Sequence, residues 1–256
     1  MIDIAADPAI LRKRVLRLFE SNRLIEVTAL IQRLSKLGEV LVFGGLLRDI
    51  AMYGVRRFYS DVDLVVDCDP DRLQKLLCQF EGLERNKFGG YRLHTGGWSV
   101  DIWMIRDTWA FSQGYVTYVN RDSILSTTIT NWDAIAYSFA DSKVLASDYY
   151  FSALRRGELE LVLSYSPNDM GALIRVLRAI SDGRAKVLMP KVLFFLKEKM
   201  SAFTLTEILQ GQKSFSKVFF SRAELQFLRD QILTADPDLF GVEFHFKGRN
   251  YSLDLA

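Results

Sequence analysis

The sequence predicts an α/β fold, a small mixed sheet with helices, followed by a mainly helical neck and C-terminal part. Three observations carry that prediction. A short apolar run from Glu39 to Phe43 breaks at Gly44-Gly45 and gives way to a helical stretch over 46–53. A second apolar run, 61–67, bears aspartates at alternate positions, and a third, 99–105, bears one more. From Ser123 onward the strand texture fades and helical spacing takes over.

Each element has its own signal. Over 11–37, Leu16, Phe19, Leu24, Val27, Leu30, Ile31 and Leu34 recur at helical spacing with Arg and Lys between them, which reads as one or two amphipathic helices. Gly38 ends them as a C-terminal cap. Strand, glycine turn and helix follow over 39–53, then a strand at 61–67 and a helix from about Asp71 to Phe80. Leu93 and Ser99–Ile105 read as a hairpin around Thr95-Gly96-Gly97. The stretch through Asn131–Ala140 reads as helical, and 149–163 as short and mixed. Asn168–Asp182 is a strongly amphipathic helix, and Pro190 begins another that runs to Met200. Helices at 204–210 and 221–234 and a strand-like end at 242–246 complete the chain. The expected division is N-terminal helices over 1–38, an α/β head over 39–122, and the helical neck and C-terminal region over 123–256.

Composition narrows the function classes. With 49% hydrophobic and 25% charged residues, the chain buries a core and is not a disordered polyelectrolyte. A net charge of +2 means that any contact with nucleic acid comes from a local patch. Cys68 and Cys78 form no CxxC pair, which speaks against a zinc site or a disulfide scaffold and for a reducing cytoplasm. Met1–Ile10 carries Asp3 and Asp7 and lacks the basic start of a signal peptide. The longest apolar runs, such as Val192–Leu196, fall far short of a bilayer span. A soluble cytoplasmic protein without membrane contact is expected.

The chemistry lies in the aspartates. Asp61 and Asp63 stand at i and i+2 on a strand, so both carboxylates leave one face while Val62 leaves the other. Two like charges held that close repel, and a divalent cation such as magnesium resolves the repulsion. Asp101 repeats the pattern, opposite the apolar face of Val100, Ile102 and Met104. Three converging carboxylates suit a two-metal phosphoryl transfer. The Gly44-Gly45 turn lets the backbone approach a polyphosphate at the start of a helix. Arg48 falls in the first turn, within reach of phosphate oxygens, and Asp49 favours the same helix end and orders the loop. Singly, each feature has a plain structural explanation: a solvated strand end or an ordinary turn. Their order along the chain is what makes them specific.

Gly44-Gly45-Leu46-Leu47-Arg48-Asp49, Ser60-Asp61-Val62-Asp63 and Val100-Asp101-Ile102 together resemble the head of class II nucleotidyltransferases. These are the bacterial poly(A) polymerases and tRNA CCA-adding enzymes of the polymerase β superfamily. They carry G-G-x-x-R-D, a D-x-D strand and a later acidic strand in this order. The resemblance implies a polymerase β-like head and transfer of a nucleoside monophosphate from an NTP, ATP or CTP, to a hydroxyl, with release of pyrophosphate. It implies an RNA 3′ end such as tRNA as acceptor. It also implies two Mg2+ ions held by Asp61, Asp63 and Asp101, and triphosphate contacts from Gly44, Gly45 and Arg48. Beyond the head, Thr128 to Tyr137 is similar to the family's T-I-N-A-x-A-Y helix, and 153–161 to its D-L-x-x-x-x-I segment. Arg175 to Ile180 is similar to R-x-L-R-A-I, which makes Arg175 and Arg178 candidates for recognition of the incoming base.

The sequence also departs from the pattern. The family's R-R-D falls on Leu125, Ser126 and Thr127, with Arg121-Asp122 close but out of register. Ala172 takes the place of the neck acid, Asp169 being nearest, and fewer residues follow the neck than the family's RNA-gripping body and tail need. Two further readings stand beside the enzyme: a non-catalytic nucleotide-binding head serving as a regulatory or interaction subunit, and a transferase acting on a small molecule or protein. A solvated helix face paired through Arg178 and Asp182 explains the neck arginines equally well. Arg12, Lys13, Arg14 and Arg17 form a basic helix face that suits either solvent or RNA phosphates. Phe88 to Arg92 reads as a turn into the hairpin, His94 and His245 as structural, and the four Trp as core or interface. The apolar helices after Pro190 suit a surface for a second copy of the chain or a partner chain, and burial in the core equally well.

Overall fold

The computed structural model describes residues 4–56, 58, 60–86, 89–214 and 218–236, and the backbone of 242–243, 245–247 and 250–252. Phe88 and the side chain of His245, both read from the sequence above, lie outside the described residues. The chain forms two compact units, one of residues 1–128 and 132–152, the other of 129–131 and 153–256. The first unit therefore extends beyond the boundary expected at 122.

The first unit opens with α1 (Pro8–Phe19) and α2 (Ile25–Ser35). Asp7 caps α1 by accepting from the Ile10 amide at 2.8 Å, and Pro8 takes the first helical position, where its missing N–H costs nothing. Val27, Leu30, Ile31 and Leu34 form the buried stripe of α2. Then come β1 (Glu39–Phe43), α3 (Gly45–Tyr53), β2 (Val62–Asp67) and α4 (Pro70–Leu77). The strands β3 (Glu84–Arg85), β4 (Tyr91–Thr95) and β5 (Trp98–Met104) follow, then the short α5 (Trp109–Ser112). Two further strands, β6 (Ile135–Ser138) and β7 (Lys143–Ala146), and the start of α6 (Tyr150–Arg156) close the unit.

One mixed sheet holds all seven strands in the order β3-β4-β5-β2-β1-β6-β7. Only β2 and β5 run parallel; every other neighbouring pair is antiparallel. The interior of β1 (Val40, Leu41, Val42) is buried, as expected for a strand with both faces covered. Leu41 meets Val65, Ile105, Ile124, Ala136 and Leu145 in a single apolar cluster.

The expected helix over Asn131–Ala140 is not there. Residues 135–138 form β6, buried along its whole length between β1 and β7. A four-residue apolar run carries no periodicity of its own, and pairing on both sides decides its state. The expected hairpin is present, with Thr95 opposite Trp98 and the Gly96-Gly97 turn between them.

The second unit carries β8 (Glu158–Leu159), α7 (Asp169–Ser181), β9 (Val187–Leu188), α8 (Pro190–Ala202), α9 (Leu205–Gln212) and α10 (Arg222–Thr234). Then come β10 (Val242–Glu243), β11 (His245–Lys247) and β12 (Asn250–Ser252). The helices begin where the sequence signals place them: Asn168 caps α7, and Thr204 and Ser221 form capping boxes with Glu207 and Glu224. Among the described residues, no helix is long and apolar enough to cross a membrane.

Candidate functional site

The Gly44 turn and the aspartates share one end of the sheet. Val42 lies opposite Leu64, so the C-terminal end of β1 sits beside the N-terminal end of β2. Asp63 lies in register with Asp101 on the parallel β5, and Asp101 in turn with Arg92 on β4. Residues in register on neighbouring strands share a face, so Asp63, Asp101 and Arg92 form one cross-strand row. Asp61 stands just before β2 begins, and its carboxylate lies 3.9 Å from the Arg92 guanidinium.

At the turn, Gly44 has φ 72° and ψ −129°, a conformation that side chains other than glycine avoid. Its amide donates to Ile135 O at 2.9 Å and its carbonyl accepts from Arg48 N at 3.2 Å, which joins β1, β6 and α3 at one point. Arg48 donates from Nε and Nη2 to Asp49 Oδ1, both at 2.9 Å, and from Nη1 to Asp133 Oδ1. Burial acts against its charge, but Asp133 and Asp49 outweigh it, so its pKa rises and it stays protonated throughout the working range. Arg48 thus holds the turn. The structure gives Asp49 a different place from the one expected: the first turn of α3 contains no acidic residue, and Asp49 acts by clamping Arg48. Tyr150, wholly buried, donates from its hydroxyl to Trp132 O at 2.8 Å, and burial raises its pKa far above the usual phenol value.

The three carboxylates are arranged around a cation that belongs to the chain. Arg92 donates from Nε to Asp101 Oδ1 at 2.8 Å and from Nη2 to Asp101 Oδ2 at 2.6 Å, a bidentate pair. That bonding, first of all, raises the Arg92 pKa; the charges of Asp61 and Asp63 add to it. Among the described residues, no three His, Cys, Asp or Glu side chains are gathered tightly enough to hold a metal ion. The tight convergence expected from the sequence is replaced by three carboxylates around a guanidinium, because mutual repulsion keeps bare carboxylates apart. The donor set still suits Mg2+: these are hard oxygen ligands on one face, and they already attract a positive group. Directly before Asp61, the Ser60 hydroxyl is buried without a hydrogen-bond partner.

Other basic residues singled out in the sequence lie elsewhere. Arg121 donates to Glu39, to Ser138 Oγ at 3.4 Å and to Asp141 at 2.5 Å, at the start of β1 and so at the opposite end of the strand from Gly44. Arg175 and Arg178 are exposed on α7, whose remaining residues from Ala172 to Ile180 are buried. The expected partner of Arg178, Asp182, pairs with Arg184 at 2.9 Å. In the basic N-terminal face, Arg14 donates to Ile50 O and Ala51 O near the end of α3. Sequence reading missed Arg92 and Asp133 as members of the site. A signal existed for Arg92: a hairpin turning at Gly96-Gly97 with Thr95 opposite Trp98 sets Arg92 opposite Asp101. None existed for Asp133, which is 85 positions from Arg48.

No family model and no curated protein matches this sequence. Solved structures do. A CCA-adding enzyme in complex with CTP is similar at TM-score 0.61 and 16% identity, over 90% of this chain and 56% of that one. The CCA-adding enzyme of Thermotoga maritima complexed with tRNA_CCA is similar at TM-score 0.58 and 18% identity, over 90% and 55%. A tRNA nucleotidyltransferase complexed with a primer tRNA and an incoming ATP analog is similar at TM-score 0.56 and 18% identity, over 80% and 61%. The fold is that of these nucleotidyltransferases. This chain spans 55% to 61% of their length.

Proposed function

We propose that this chain is a magnesium-dependent nucleotidyltransferase that moves a nucleoside monophosphate from ATP or CTP to an RNA 3′ hydroxyl, such as that of tRNA, and releases pyrophosphate. One observation carries the reading: Asp63 and Asp101 stand in register on parallel neighbours, with Asp61 beside them, at the sheet end where Gly44 opens α3. The shared fold with proteins solved with CTP, with an ATP analog and with tRNA supports an NTP and an RNA as substrates.

In this reading Asp61 and Asp63 hold two Mg2+ ions and Asp101 one of them. Mg2+ held by these residues would supply neutralisation of triphosphate charge and a lower pKa for the acceptor hydroxyl. The backbone amides of the Gly44-Gly45 turn and the first turn of α3 bind phosphate oxygens. Arg48, fixed by Asp49 and Asp133, keeps that turn in the shape the phosphates need. The acceptor oxygen bonds to the α-phosphorus as the bond to the pyrophosphate oxygen breaks, and the hydroxyl proton passes to solvent. The protein's share is alignment and charge compensation.

A non-catalytic nucleotide-binding head is a second reading, favoured by Arg92 on Asp101. One assay separates the two: pyrophosphate release with Mg2+ and each NTP, with and without cellular RNA, against an Asp61→Ala/Asp63→Ala control. RNA-dependent release that vanishes in the control is expected. Release that needs no RNA redirects the acceptor to a small molecule or protein, and NTP binding without release supports the non-catalytic head.

A further inference from the structure

The position of Arg92 has a consequence for the metal site. Its guanidinium makes two charge-assisted bonds to Asp101, lies 3.9 Å from Asp61, and feels the charge of Asp63. It therefore contacts or faces all three carboxylates that the proposed function assigns to the ions. Asp101 is the most buried of the contacts, its side chain only 10% exposed, and both of its oxygens are bonded to Arg92. A divalent ion and the guanidinium compete for the same two carboxylate oxygens. Each Asp101 oxygen already gives one lone pair to Arg92, and an ion bound there would lie close to a positive charge. The backbone cannot relieve this conflict, because the hairpin register fixes Arg92 directly opposite Asp101. The side chain can: it is 44% exposed and has an open path to solvent.

We propose that Arg92 is a resident cation that keeps the acidic cluster assembled in the absence of metal and competes with divalent ions for Asp101. The inference rests on the metal-dependent reading above. With Arg92 in place, three carboxylates stay on one face of the sheet without repelling one another apart. A divalent ion entering the cluster either weakens the bonds of Arg92 to Asp101 or meets its positive charge, so the metal affinity of the free protein is lowered. Charge-assisted hydrogen bonds of this kind reduce affinity by about tenfold or more.

The test is Mn2+ binding to the full chain without nucleotide, followed by electron paramagnetic resonance of free Mn2+, in wild type, Arg92→Gln and Arg92→Lys. Asp61→Ala/Asp63→Ala serves as the site control. Arg92→Gln is expected to bind Mn2+ about tenfold or more tightly. Arg92→Lys, which keeps the charge but not the bidentate pair, is expected to fall between wild type and Arg92→Gln. In chelator, Arg92→Gln is expected to unfold at a lower temperature than wild type and to gain more on addition of Mn2+. Should Arg92→Gln fold only with Mn2+ present, the resident-cation role is supported directly. Site-dependent Mn2+ binding that is equal or weaker in Arg92→Gln overturns the inference and leaves the metal-dependent reading standing. Absence of any binding that depends on Asp61 and Asp63, in both proteins, overturns the two together.

Discussion

At the residue scale, the site depends on a few side chains whose alternatives are costly. Gly44 combines φ 72° with ψ −129°, a region that essentially only glycine occupies. A Cβ there would meet nothing closer than Asp133 O at 3.9 Å, so the penalty of a side chain is conformational and not steric. Gly44→Ala is expected to lower stability by about 1–3 kcal/mol, read from the denaturant midpoint at unchanged slope. Phosphate binding should fall further than stability does, because the turn that presents the amides is the part that is distorted. A midpoint indistinguishable from wild type would show that the turn relaxes without strain. Arg48 and Arg92 illustrate how similar residues divide their tasks. Arg48, 20% exposed, is locked between Asp49 and Asp133 and shapes the turn; Arg92, 44% exposed, lies on the acids themselves.

At the element scale, the helices of the second unit begin at local signals that do not depend on the rest of the molecule. Ser221 Oγ accepts from the Glu224 amide, and the Ser221 amide donates to Glu224 Oε2 at 2.8 Å. Thr204 and Glu207 repeat the arrangement on α9, and the Glu207 pKa is lowered by the Thr204 amide and hydroxyl. Ser221→Ala is expected to cost about 1 kcal/mol, visible as a lower midpoint in thermal or urea unfolding. Loss of a full helix signal in circular dichroism would instead mean that the cap nucleates α10. Elements with such signals were legible: α7, α8, α9 and α10 begin within a residue or two of the positions expected from Asn168, Pro190, Thr204 and Ser221. The stretch from 131 to 140 was not legible, because Ile135, Ala136, Tyr137 and Ser138 suit a buried helix turn and a buried strand alike.

At the scale of the whole sheet, long-range ion pairs tie neighbouring strands at the end opposite the acidic cluster. Arg121 links Glu39 on β1 with Ser138 and Asp141 at the turn between β6 and β7. The bond from Arg121, above all, lowers the Asp141 pKa. A carboxylate whose folded pKa lies below its unfolded value stabilises above the unfolded value, and that stability fades as pH falls through the folded one. The contribution is therefore full at neutral pH and begins to fade below about pH 4. Asp141 is largely exposed, so solvent screening keeps the effect small. Arg121→Gln is expected to lower stability at pH 7, with the deficit shrinking as pH falls below about 4, measured by urea unfolding across pH. Parallel curves, with the deficit unchanged in acid, would assign the Arg121 effect to packing.

The sequence by itself determined the parts of this protein whose physics is local. Helix starts follow from capping residues, the hairpin from its glycine turn, and the spacing of Asp61, Asp63 and Asp101 puts carboxylates on one face of two strands. Only the tertiary structure decided which strands become neighbours and which charges meet. The order β5-β2-β1-β6 sets Asp101 beside Asp63, buries β6, and carries Asp133 to Arg48. Arg92 entered the acidic cluster through cross-strand register, while Arg121, near the R-R-D position in sequence, has its partners at the far end of β1. The reason is that strand pairing and ion pairing depend on distance in space, and the sequence encodes that distance only through the fold as a whole.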